Sequence, residues 1–179
     1  MKITSAIAMI GLALTLSIGG DKVFPVLEGE KLTGETIIIP KYLQGKLSIV
    51  GMAYSKKSEV MLKTWYEPMY NKFILKRGMF DSNYDVNMLF IPMYTGAKKA
   101  AYQVSINKMK ESNRKDLYPY LLFYKGSLEP YVSELRMENK ALPYLFVLDE
   151  QGNIITSVKG FFSDAKMEQI ETALDNRMN

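Results

Sequence analysis

Three short apolar runs constrain this chain more than any other feature. Residues 47–54, 86–92 and 144–148 are nearly continuous hydrophobic stretches of five to eight positions. They are too short for buried helices and lack the alternation of a half-exposed strand. Each therefore predicts a strand covered on both faces. Between the first two, Leu62, Trp65, Tyr66, Met69 and Phe73 recur at helical spacing, with Pro68 expected to kink that helix. Ser58 followed by Glu59 reads as its N-cap and first-turn acid. The run at 86–92 is expected to stop at Pro92.

After it, Ala97, Ala100, Ala101, Val104 and Met109 suggest a second helix. Residues 120–124 have strand composition, and Leu128, Val132 and Leu135 suggest a short helix near Pro130. The turn Asp149-Glu150-Gln151-Gly152 joins the third run to a hairpin partner at 153–158. Ser163-Asp164 then opens a last helix with Met167, Ile170 and Leu174 facing inward. At the other end, Gly34 centres a turn before the β-branched stretch 36–39. Strands alternating with helices imply parallel crossovers, so the expected class is α/β: a central mixed sheet between helix layers, extended by an N-terminal β-hairpin. With 179 residues, 47% of them apolar, residues 21–179 read as one domain with a real core.

Chemistry is narrowed by two absences. The chain has no cysteine and no histidine, which removes disulfides, thiol nucleophiles, Cys/His zinc sites and any Ser-His-Asp triad. The net charge of +4 is spread over single lysines and pairs such as Lys56-Lys57 and Lys98-Lys99, without the concentrated basic face of a nucleic-acid binder. Asp81 and Asp85 flank Ser82-Asn83 but lack the oxygen series of a calcium loop, so they read as a solvated turn. No metal and no cofactor is expected.

Residues 1–20 are read as outside the fold. Lys2 is followed by eighteen uncharged residues, ending in Ser17-Ile18-Gly19-Gly20 before Asp21. A positive start, an apolar middle and small residues at the exit describe a secretory signal peptide, and so a periplasmic or other extracytoplasmic domain. The alternative is an uncleaved N-terminal anchor, the one case in which the protein would be membrane-bound.

The residues also carry a family resemblance. Phe24-Pro25 is followed by Leu32-Thr33-Gly34-Glu35, by Gly45-Lys46, by the run to Ala53 and by Tyr54-Ser55-Lys56-Lys57-Ser58. Near the other end, Leu142-Pro143 precedes a strand, a hairpin and Gly160. In that order these segments resemble the thioredoxin-like superfamily, in its periplasmic branch of thiol-disulfide oxidoreductases and peroxiredoxin-like proteins. The resemblance spans nearly all of residues 24–175. It implies that Ser55 and Ser58 occupy the places of the redox cysteines and that the Leu142–Pro143 bond is cis. It further implies that Tyr54, Lys56, Lys57, Leu142 and Pro143 border a groove receiving extended polypeptide. The phrase from Leu142 to Gly160 is also similar to a mitochondrial relative that assists assembly of the membrane sector of ATP synthase.

The departure from that pattern decides the chemistry. A redox dithiol works through a thiolate whose pKa is lowered at a helix start, and a serine hydroxyl neither ionises there nor forms an S–S bond. The plain reading of Ser55-x-x-Ser58 is a polar loop and a helix cap. Lys56 and Lys57 beside a helix start read either as an anion cradle or as a solvated loop. The expectation is an exported thioredoxin-like domain without redox cysteines, binding an extracytoplasmic polypeptide or acting in assembly rather than in catalysis. The competing expectation is an enzyme on the same scaffold using non-thiol groups.

Overall fold

A computed structural model describes residues 22–78, 84–112 and 114–178. Seven strands form one sheet: β1 (Leu27–Lys31), β2 (Thr36–Ile39), β3 (Ser48–Ala53), β4 (Asn87–Thr95), β5 (Leu122–Gly126), β6 (Tyr144–Leu148) and β7 (Ile154–Lys159), in the order β2-β1-β5-β4-β3-β6-β7. Helices α1 (Lys56–Lys63) and α2 (Tyr66–Met69) follow β3, α3 (Tyr102–Lys110) follows β4, α4 (Glu129–Leu135) follows β5, and α5 (Asp164–Met178) closes the described chain. β3, β4 and β5 are mutually parallel, while β6 runs antiparallel to β3 and pairs with β7 as a hairpin. The β1–β2 hairpin joins the same sheet through β5.

The apolar runs are strands sealed on both faces, and their alternation supplies two cores. Ile49 and Ala53 of β3, Phe90 of β4 and Leu145 of β6 face one cluster with Trp65, Met69, Ile170 and Leu174. Val50, Met52, Leu89, Ile91 and Phe146 face the other, with Leu27, Ile39, Tyr131 and Met137. The result is a three-layer α/β sandwich. Gly51 lies where α1 presses on the sheet: a Cβ there would stand 3.0 Å from Leu62 Cδ1 and 3.1 Å from Phe90 Cδ1.

Four local expectations differ from what forms. β4 continues through Pro92 to Thr95; Pro92 faces Ala53, the last residue of β3, so its missing N–H falls where that ladder ends. Ser55, not Ser58, is the N-cap of α1. The helix around Pro68 is divided: α1 ends at Lys63, α2 starts at Tyr66, and a π turn over Tyr70–Ile74 follows. The stripe expected over Ala97, Ala100, Ala101 and Val104 is exposed, because 96–101 winds as a 3-10 helix and rotates the inward face to Ile106, with Tyr102 and Met109 half-buried beside it. Asp81 lies outside the described residues; Asp85 pairs with Lys46 at 2.8 Å. Residues 1–20 also lie outside them, and among the described residues no helix is long and apolar enough to cross a membrane.

Candidate functional site

β3 delivers the chain through Tyr54 to Ser55, at the sheet end where α1 starts. Ser55 is extended, with φ −129° and ψ 160°, as an N-cap must be. Its Oγ accepts the Ser58 N–H at 3.1 Å, and Ser58 Oγ accepts the Ser55 N–H at 2.9 Å, a reciprocal capping box. Both hydroxyl protons are also committed. Ser58 donates to the Ser55 carbonyl at 3.0 Å, and Ser55 donates to the Lys140 carbonyl at 2.5 Å. The two oxygens stand 3.0 Å apart, and Ser58 is fully buried. Among the described residues no carboxylate hydrogen-bonds either hydroxyl, so no general base is in place to raise a serine nucleophile.

The facing wall is the loop from α4 to β6. Arg136 ends α4 in the left-handed region, with φ 52°, and turns Met137 into the core. The Met137 carbonyl accepts the Tyr54 hydroxyl at 2.5 Å; burial, with Tyr144 close by, pushes that phenol up, so it stays a donor. Asn139 organises the bend: its Oδ1 accepts the Ala141 N–H at 3.0 Å, its carbonyl the Leu142 N–H at 3.1 Å, and its N–H donates to the Tyr144 hydroxyl at 2.9 Å. Extending the register Met52↔Tyr144 by one residue sets Pro143 opposite Ala53, at the same sheet end as Ser55. The Leu142-Pro143 segment therefore lies at the sheet end that carries Ser55 and Ser58.

The expected groove geometry is different. The Leu142–Pro143 bond is trans; among the described residues the cis bond precedes Pro40. Pro143 is buried and Leu142 half-buried against the second core, while the loop reaches Ser55 through the Lys140 carbonyl. That hydrogen bond bridges the two walls where an open cleft was expected.

What faces solvent is the rim. Lys56 and Lys57, the first two residues of α1, are exposed at the positive end of the helix dipole, an unfavourable placement for cations. Val60, one turn on, is 61% exposed, and Phe161 is 59% exposed. Thr64, on the same face as Val60, accepts the Phe162 N–H at 2.9 Å, which brings the 160–162 loop alongside α1. Trp65 anchors that loop from inside, donating its indole N–H to the Gly160 carbonyl at 2.9 Å with Phe162 edge-on at 5.3 Å. Sequence reasoning missed Val60, Phe161 and the Lys140 carbonyl. The adjacent pair Phe161-Phe162 was the available signal, since two neighbouring aromatics on a tight loop cannot both turn inward. Among the described residues there is no group of three acidic side chains that could hold a metal ion.

The comparisons with known proteins fit this geometry. The model of the ATP10 protein family matches residues 21–173. The chain belongs to the ATP10 protein family. ATP10 proteins are a thioredoxin-like assembly family, and solved structures show the same fold. BsSco, a member of the Sco family of cytochrome c oxidase assembly proteins, aligns with a TM-score of 0.59 at 11% identity over 87% of this chain and 95% of its own. The exposed lipoprotein thioredoxin Etrx1 of Streptococcus pneumoniae aligns at 0.54 and 15% identity over 83% and 99%, and yeast Sco1 at 0.53 and 16% over 88% and 97%. No curated protein sequence matches the chain. This ATP10 family member is thus a thioredoxin-like domain that carries Ser55 and Ser58 and no cysteine.

Proposed function

We propose that this protein is a non-catalytic assembly factor, exported from the cytoplasm, that holds an extended polypeptide on the rim formed by Lys56, Lys57, Val60, Lys140 and Phe161. The observation that carries the reading is the closed Ser55–Ser58 capping box at the α1 start: each hydroxyl is spent on backbone, so the edge has structure to offer but no reactive group. Membership of the ATP10 family and the likeness of Leu142 to Gly160 to an ATP synthase assembly protein support a client that is a subunit of a membrane complex such as the membrane sector of ATP synthase. Two exposed apolar side chains beside two cations at a helix N-terminus suit a segment mixing apolar and acidic residues.

The test is site-specific photo-crosslinking in cells, with the probe at Val60 or Phe161. A discrete adduct with one membrane-complex subunit is expected, weakened by Lys57→Glu. Purified protein should show no insulin reduction and no peroxidase turnover. Either activity, or crosslinking no stronger than from a probe at exposed Val104 on α3, would overturn the reading. For export, protein from the envelope should begin near Gly20 or Asp21.

A further inference from the structure

A half-enclosed cavity of about 290 Å³ lies between α1 and α3, over β4 and β5. Its floor is apolar, made by Pro92, Tyr94 and Phe123, and Lys63 and Lys108 stand on its lining. Tyr66 also lines it. That side chain is only 9% exposed, with its ring packed 4.4 Å from the ring of Phe90. Among the described residues, every side-chain nitrogen and oxygen sealed from solvent has a hydrogen-bond partner. The Tyr66 hydroxyl has none, so its oxygen opens into the space its ring lines. A donor that opens into the cavity is matched by solvent there or by a ligand acceptor that displaces it.

The one carboxylate on the cavity lining, Glu59, is already engaged: it is ion-paired with Lys98, whose ammonium also lies 4.8 Å from the Tyr94 ring centre. Lys63 and Lys108 have no acidic partner among the described residues. The cavity thus combines a hydroxyl donor with no protein partner, two lysines against one carboxylate that is already paired, and an apolar floor.

We propose that this cavity binds a small aryl carboxylate. The ring lies on Pro92, Tyr94 and Phe123, and the carboxylate accepts the Tyr66 O–H while facing Lys63 and Lys108. Burial, with Glu59 nearby, pushes the Tyr66 phenol up, so it keeps its proton at neutral pH and donates. The volume falls at the small end of ligand pockets, about 300–1,000 Å³, which suits a single-ring acid and not a nucleotide. The site shares α1 with the Ser55 edge but uses none of its rim residues, so it stands whether or not that edge captures polypeptide.

Benzoate and phenylacetate, titrated calorimetrically into the full chain, test it, with benzamide as the neutral match. Saturable one-site binding of at least one acid is expected, with benzamide weaker by about tenfold or more. Tyr66→Phe should weaken the acid by a similar factor and leave the ligand-free Tm unchanged, because the hydroxyl has no protein partner to lose. Joint replacement Lys63→Gln and Lys108→Gln should weaken it further and remove its salt dependence. The absence of saturable binding by either acid, equal binding of benzamide, or unchanged affinity in Tyr66→Phe would each overturn the proposal. So would binding only when the same group is the C-terminus of a peptide, since that assigns the cavity to a polypeptide end.

Discussion

At the scale of single residues, Ser55 does two jobs with one oxygen. It caps α1 by accepting the Ser58 N–H, and it ties the 137–143 loop to the sheet through Lys140. Ser55→Ala removes both at once and should cost about 1–2 kcal/mol, read as a lower urea midpoint together with faster exchange of the Ser58 amide. An unchanged midpoint would show that the loop holds itself. That positions 55 and 58 stand at a helix start was legible in the sequence from the family resemblance and from the apolar run before them. The direction of capping was not. Either serine can cap a helix in isolation, and the choice fell to Ser55 because β3 delivers it extended while Ser58 is drawn into the core. Lys140 could not be found from its side chain at all, since it contributes a carbonyl.

At the scale of elements, the close packing of α1 on β3 sets where the site stands. Gly51 allows that approach, and Gly51→Ala should destabilise by about 1–3 kcal/mol as Leu62 and Phe90 are pushed aside, measurable by thermal or chemical unfolding. No change on substitution would mean that α1 can slide on the sheet. The strands were the most legible elements, because a run apolar on both faces has few alternatives to burial between layers. Helix periodicity was a poorer guide around Gly96. There the 3-10 winding over 96–101 shifts the phase of the inward face, so the alanines chosen by 3.6-residue spacing point to solvent. Pro92 misled for a related reason: a proline ends a strand only when a partner needs its N–H, and β3 ends at Ala53, the residue that faces it.

At the scale of the whole molecule, the β6–β7 turn adds a pH dependence. Asp149 is 4% exposed, yet its carboxyl is held below the usual range. Burial acts against this, but the Asn153 side chain, the N–H groups of Asn153 and Gln151, and Arg177 at 3.7 Å together outweigh it. A depressed folded pKa contributes stability that is complete above the unfolded value near ~3.9 and is lost as pH falls through the folded value. Unfolding free energy should therefore decline below about pH 4. The decline should be shallower in Asp149→Asn, which starts less stable at neutral pH; parallel curves for the two proteins would refute the assignment. The chain's own composition settled which chemistries are closed to it, because without cysteine or histidine no arrangement in space can produce a thiolate or an imidazole base. Its apolar runs likewise settled the layered α/β class, because backbone polar groups inside such runs must pair within a sheet. Tertiary packing decided the rest: a trans bond and a buried ring at Pro143, a backbone carbonyl closing the cleft over Ser55, and a phenol that lines the cavity between α1 and α3 at Tyr66. These depend on where remote segments come to rest, and side-chain identity along a chain does not specify the distance between residues 55 and 140.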